Sequence, residues 1–227
     1  AADVSALASL PGGRGPGSTG LKKAAALIKD AFTKAGLKPY QPGPPPGRGG
    51  SALKRSYFLA PEGQPANLTA MVEGTDKPDE YLVLSAHYDH LAPVNGKACP
   101  GADDNASGVA LLLELARYYA ARPQKRTIIF AAFDAEEEGR IGSKAFVRML
   151  APELKRSINA DLNFDSVGRL GGGKILILNS SSSDKWVHIF RGAGFVTGAD
   201  YALVKEDLDA SDQVSFVEAG IPAVQFF

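Results

Sequence analysis

An α/β fold, with a mixed, mainly parallel central sheet and helices on both faces, is what this sequence predicts, and three observations predict it. Short apolar runs alternate with segments of helical periodicity from about residue 66 onward. The runs at 81–86, 126–134 and 158–165 are apolar on both faces, as strands covered from two sides must be. With 227 residues and 44% hydrophobic composition, the chain suffices for one sizeable core and requires no second domain.

Each element follows from its residues. Ser18 stands where an N-cap belongs, ahead of Leu21, Ala24, Ala25, Ile28, Ala31 and Phe32 at helical spacing, and Gly36 supplies the stop, so 18–37 is an amphipathic helix. The proline- and glycine-rich stretch 39–50 suits neither a ladder nor a helix and is expected to be a loop. β-like runs occupy 53–60, 66–73 and 81–86. Val109, Leu112, Leu113, Ala116 and Tyr119 then give 108–121 a helical stripe. A strand at 126–134 comes next, and a helix at about 140–150 is closed by Pro152. Strands at 158–165 and 174–178, a helix at 184–193 and a terminal strand "IPAVQFF" complete the series.

Composition excludes several functions. Lys and Arg number 25, as do Asp and Glu, so no net charge is available to hold a nucleic acid or an anionic membrane surface. No stretch reaches the apolar length of a bilayer span. The start, "AADVSALASL", lacks a basic n-region and a long apolar core, and its leading Ala fits a processed chain as well as a trimmed one. Cys99 stands alone, so no intrachain disulfide forms and cysteine usage does not fix the compartment. No oligomeric state follows from the sequence.

In open α/β sheets, sites form beyond the carboxyl ends of the strands. Here those positions are acidic: "SAHYDH" (85–90) carries His87 and Asp89, "PGADDNASG" (100–108) carries Asp103 and Asp104, "DAEEEG" (134–139) carries Glu136 and Glu137, and the strand at 158–164 ends in Asp165. Singly, each has a bland reading as a turn, a helix cap or a solvated patch. Together they concentrate negative charge on one edge, which a bound cation must compensate. Imidazole and carboxylate donors without thiolates suit a catalytic Zn²⁺, with Mn²⁺ or Co²⁺ as substitutes.

The segments "SAHYDH", "PGADDNASGVA", "AAFDAEEEGRIGS", "NFDSVGR" and "SDQVSFVEAGIPAVQFF" resemble, in order and spacing, the secreted zinc aminopeptidases with two co-catalytic metals, relatives of glutamate carboxypeptidase II and the glutaminyl cyclases. The resemblance covers about residues 66–227. It implies a zinc-exopeptidase fold of the phosphorylase/hydrolase type, a single catalytic domain over 1–227 and a secreted or periplasmic protein. It implies two Zn²⁺ ions, with one as an alternative. His87 and Asp165 would bind one metal, Asp103 would bridge both, and Glu137 would bind the second. Glu136 would be the general base acting on a metal-bound hydroxide, with Asp89 orienting His87. A cis peptide bond is implied between Asp103 and Asp104. The activity implied is removal of N-terminal, preferably apolar, residues from peptides. The alternatives are a glutaminyl-cyclase-like aminoacyltransferase with one zinc and a non-catalytic relative that has lost the second metal.

The pattern breaks at one position. Relatives often place a histidine ligand in an "S-D-H" triplet before the last strand, where this chain has Ser211, Asp212 and Gln213. Strand alternation turns His90 away if His87 points inward, and His188, in "WVHIF", reads as a packed or surface helix residue. In another branch of the family the ligand comes from a later histidine, which implies a closing segment that would follow Phe227. The loops 91–101 and 195–212 are expected to shape the substrate pocket.

Overall fold

Parity along the central strands separates two apolar layers. Leu84, Ala86, Ile128, Phe130 and Ala132 turn to one face, and Val83, Ile129, Ala131 and Phe133 to the other. The computed structural model describes residues 1–40, 58–59, 66–97 and 99–227, the pair 58–59 by backbone alone. Its elements are α1 (Ala2–Ala8), α2 (Thr19–Lys34), β1 (Lys38–Pro39), β2 (Phe58–Leu59), β3 (Asn67–Val72), β4 (Lys77–His87), α3 (Ala106–Ala120), β5 (Arg126–Phe133), α4 (Ile141–Met149), α5 (Pro152–Ser157), β6 (Ile158–Phe164), β7 (Ile175–Leu178), α6 (Lys185–Thr197), β8 (Tyr201–Leu203), α7 (Gln213–Glu218) and β9 (Ala223–Phe226).

The strands form one mixed sheet in the order β1-β3-β5-β4-β6-β9-β7-β8, with β2 paired to β3. Its centre, β5-β4-β6-β9, is parallel throughout, and antiparallel pairs join β3 to β5 and β9 to β7. Helices α1, α2 and α3 cover one face through Leu7, Ile28, Phe32, Val109 and Leu112. Phe146 of α4 and Phe216 of α7 cover the other, their rings 6.0 Å apart. On the far flank Trp186 and Phe190 of α6 pack with Ile177 and Val224.

Several expectations shift. The 39–50 loop yields Pro39 to β1, an edge strand where a missing N–H costs no ladder bond, while 41–50 lie outside the described residues. Of the run at 53–60, only 58–59 are described. Pro152 does more than end a helix: it occupies the first turn of α5, where its fixed φ is an advantage. The terminal strand, β9, lies inside the sheet between β6 and β7.

Candidate metal centre

Strands β4, β5 and β6 run parallel, so their carboxyl ends meet along one edge, where His87, Asp134 and Asp165 leave the sheet. Above them the loop 100–105 leads into α3. Asn105 caps that helix: its Oδ1 accepts from Gly108 N at 2.9 Å and its Nδ2 donates to Phe164 O at 2.9 Å. The approach needs glycine at 108, since a Cβ there would lie 2.2 Å from Phe164 O. Fixed in this register, the residue before the cap faces the strand ends, and that residue is Asp104.

Asp104 Oδ1 lies 3.3 Å from His87 Nε2, and Asp165 Oδ1 lies 3.6 Å from the same nitrogen. These three side chains form one group whose donor atoms all lie within 4.8 Å of one another. His90, Asp104 and Glu137 form a second such group, with His90 Nδ1 2.9 Å from Glu137 Oε1 and 4.0 Å from Asp104 Oδ1. One carboxylate oxygen therefore belongs to both.

Two expectations are corrected by this geometry. Asp103 does not face the imidazoles: its Oδ1 accepts from Gly168 N at 2.8 Å, and its Oδ2 lies 3.3 Å from Arg169 Nε. The cis peptide joins Asp104 to Asn105, not Asp103 to Asp104. His90 is corrected as well. Strand geometry ends at His87, so alternation does not govern residues 88–90, and His90 N donates to Arg14 O at 3.1 Å, which turns the ring back toward Glu137. Gln213 does not approach either group. It is wholly buried, its Nε2 donates to Asn179 Oδ1 and Gln225 Oε1, and its Oε1 accepts from Asn163 Nδ2. His188 sits exposed on α6.

Asp89 is fully buried and its firm bonds go to the Glu136–Glu137 turn, accepting from Glu136 N at 3.1 Å and Glu137 N at 3.2 Å. Its approach to His87 Nδ1 is longer, at 3.4 Å, and that nitrogen has no hydrogen bond. The expected partner of His87 is thus foremost the clamp of the acidic turn. Ala135, with φ of 56°, and Ser166, also at 56°, hold left-handed backbone beside Glu136 and Asp165. Such conformations cost roughly 1–3 kcal/mol each and persist where surrounding bonds impose them.

Electrostatics follow from the crowding. Burial depresses the basicity of His87, yet Asp104, Asp165 and Asp89 outweigh it and hold the imidazole pKa well above its ordinary value. Burial pushes the Glu136 carboxyl up to about 8; His87 opposes the rise, while Asp212, Asp165 and Asp89 reinforce it. Arg14, buried to 1% exposure, braces the surrounding loops by donating to Tyr88 O, Leu7 O, Pro100 O and Gly101 O. Sequence reasoning missed it, because nothing in "GGRGPG" marks one arginine as buried.

Beside Asp103 and Ser166 opens a crevice of about 640 Å³, lined by Leu111, Val167, Leu170, Ile175, Leu176 and Phe226 among others. The loops 91–101 and 195–212 do not line this crevice, while Thr197, Ala199 and Tyr201 line a larger one, of about 960 Å³, beside α6.

The sequence pattern of peptidase family M28 matches residues 67–227. A probable zinc metalloprotease of Pyricularia oryzae is 39% identical over 112 residues, covering 48% of this chain and 22% of that protein. Aminopeptidase YwaD of Bacillus subtilis is 36% identical over 155 residues, 66% of this chain and 32% of that protein. The chain thus matches about a third or less of the length of these relatives. Among solved structures, a zinc aminopeptidase from Bacillus subtilis superposes with a TM-score of 0.79 over 100% of this chain and 83% of its own, at 19% identity, a likeness of fold. The aminopeptidase from Aneurinibacillus sp. strain AM-1 matches with a TM-score of 0.59 at 27% identity, over 71% of this chain and 39% of its own.

Proposed function

This chain belongs to peptidase family M28, and from that premise we propose that it is a zinc-dependent aminopeptidase whose general base is Glu136. The observation that carries the proposal is the pair of imidazole–carboxylate groups that share Asp104, with Glu136 next to Glu137 in the turn held by Asp89.

The residues fit a metal. His87 offers Nε2 to two carboxylates, while His90 Nδ1 and Glu137 Oε1 are buried with no hydrogen bond, a costly state that a bound cation relieves. His87, Asp104 and Asp165 would hold one zinc ion, and Asp104 with Glu137 would hold a second. Zinc supplies Lewis acidity toward the scissile carbonyl and toward water. Glu136 would accept a proton from the attacking water and return it to the leaving amine. Asp89 holds Glu136 and Glu137 through their backbone N–H groups, so that one carboxylate serves the base and its neighbour the metal. Among the described residues no helix is long and apolar enough to cross a membrane, and secretion belongs to this reading of the protein.

Zinc-reloaded protein should release nitroaniline from a leucyl-nitroanilide and leave a glutaminyl peptide uncyclised. Glu136→Gln should lower the rate by about 10²–10⁴-fold with zinc content unchanged. Unaltered hydrolysis in that variant would remove Glu136 from the mechanism, and cyclisation without hydrolysis would replace the peptidase by a transferase.

A further inference from the structure

We infer that Asn67, at the start of β3, is the positioning residue of the acidic turn: its buried amide joins the two feet of the loop that carries Glu136 and Glu137. The catalytic side of the inference rests on Glu136 acting as the base, as proposed above.

Topology brings Asn67 there. β3 runs antiparallel to β5, with Leu68 opposite Ala132, so the start of β3 lies beside the end of β5, where the chain leaves the sheet for the turn. Leu68 belongs to the layer under α2 and α3, and alternation turns Asn67 to the other face, toward the first turn of α4, where the chain returns. Asn67 Oδ1 accepts from Asp134 N at 3.1 Å, and its Nδ2 donates to Gly142 O at 2.8 Å. An outgoing donor and a returning acceptor need one side chain that serves both, which an ionised carboxylate or an aliphatic residue does not.

The neck is tight as well as bonded. Gly142 N donates to Asp134 O at 3.0 Å, and Ile141 N donates to Ala135 O at 2.9 Å. A Cβ on Gly142 would lie 2.2 Å from Asp134 O and 2.4 Å from Asn67 Oδ1, so the amide fits only against glycine. The Asp134 carboxylate adds a second tie to the start of β3, its Oδ2 accepting from Ala66 N at 3.0 Å. Beyond the neck, Ala135, Gly139 and Arg140 stand at φ of 56°, 96° and 60°, backbone that persists where its surroundings impose it. Asp89 secures the tip of the turn, and Asn67 secures its feet.

Asparagine is disfavoured in strands, and a wholly buried amide costs free energy unless its bonds are made. Those bonds go to the turn. Thr69, next on the same face of β3, gives the contrast: it is equally buried, and its Oγ1 donates to Tyr40 O at 2.6 Å. Asn67 acts through backbone on where the two glutamates stand, and a misplaced base costs rate rather than substrate binding.

The test sets Asn67→Ala beside Thr69→Val, which also removes a buried bond from β3. In metal-free protein, amide hydrogen exchange is read at Glu136, Glu137, Ile141 and Gly142, whose N–H groups bond to Asp89, Ala135 and Asp134 and not to Asn67 itself. In Asn67→Ala these amides should exchange faster by about tenfold or more relative to those of β4, as loss of a hydrogen bond gives in a local opening, and in Thr69→Val they should not. After zinc loading, checked by elemental analysis, Asn67→Ala should lose about 10–100-fold in kcat toward leucyl-nitroanilide with KM within about threefold, and Thr69→Val should keep both. Asn67→Asp preserves shape and the acceptor for Asp134 N but brings no proton to Gly142 O; it should show the same losses in smaller measure, and it carries the test if the alanine variant does not fold. Turn amides no faster in Asn67→Ala than in Thr69→Val, or a kcat equal to that of the wild type, would overturn the inference. A zinc-loaded wild type inert toward the nitroanilide, with the turn amides responding as expected, would instead overturn the reading of Glu136 as base and leave Asn67 as the holder of the turn.

Discussion

Adjacent aspartates with opposite tasks are the sharpest residue-scale feature of this chain. Asp104 faces both imidazoles, whereas Asp103 ties the loop before α3 to the turn after β6 through Gly168 N. Asp104→Asn should therefore abolish stoichiometric zinc binding and activity together. Asp103→Asn keeps an acceptor for Gly168 N and loses only its charge toward Arg169, whose side chain is 85% exposed, so stability should change by no more than about 0.5 kcal/mol and zinc content not at all. Zinc counting and thermal melting of the two variants check this; equal losses would erase the distinction. The sequence made an acidic centre legible through its residue types at strand ends, but could not choose within "DD". That choice depends on Asn105 capping α3 against Phe164 O, a contact between residues 59 apart. His90 was obscured for a similar reason: period-two alternation holds only inside a strand, and β4 ends three residues earlier.

At the scale of the element, β6 has two unlike faces. Ala160 and Phe164 join the apolar layers beneath α3 and α6, while Asp161 and Asn163 enter a buried polar layer with Ser85, Ser211 and Gln213. The expectation that 158–165 is apolar on both faces is corrected here: one face carries Asp161 and Asn163, whose partners come from β4 and from the segment leading into α7. Burial pushes the Asp161 carboxyl well above its usual range, and Ser85 Oγ, donating at 2.8 Å, only partly offsets it. A folded-state pKa above the unfolded one means that this group's stabilisation is fully present below the unfolded value, near 3.9, and is lost as pH rises through the folded value. Asp161→Asn should remove that slope, up to about 1.4 kcal/mol per pH unit. Melting temperatures of the wild type and the variant should then diverge, in favour of the variant, as pH rises above the unfolded value. Parallel curves would show Asp161 to be ionised in the fold. The short helices α1, α5 and α7 went unread because six or seven residues carry too little periodicity, and docking against the sheet decides them.

Across the whole molecule, the family pattern spans 67–227, yet the centre is braced from outside it. Arg14 reaches four carbonyls on α1 and on the loops at 88 and 100–101, and its buried charge lies near Asp104, Asp89 and Glu137. Arg14→Ala would strand those acceptors, so a loss of roughly 3–5 kcal/mol and weaker zinc retention are expected, measured by denaturant unfolding and by competition with a chelator. A variant as stable as the wild type would show the N-terminal segment to be dispensable to the site. The alternation of strands and helices made the parallel centre legible from sequence, whereas the position of β9 was not, since a strand's neighbours depend on the whole connection and not on its own residues. That position has a temporal consequence. Because, among the described residues, β7 and β8 join the sheet only through β9, the segment 175–203 finds its ladder there once residues 223–226 are in place. During synthesis from the N-terminus, β3 to β6 can assemble as the chain emerges, but α6 and its two strands must wait for a partner made after them. The apolar side chains of that flank stay unsheltered until β9 inserts, and in that interval they are open to self-association.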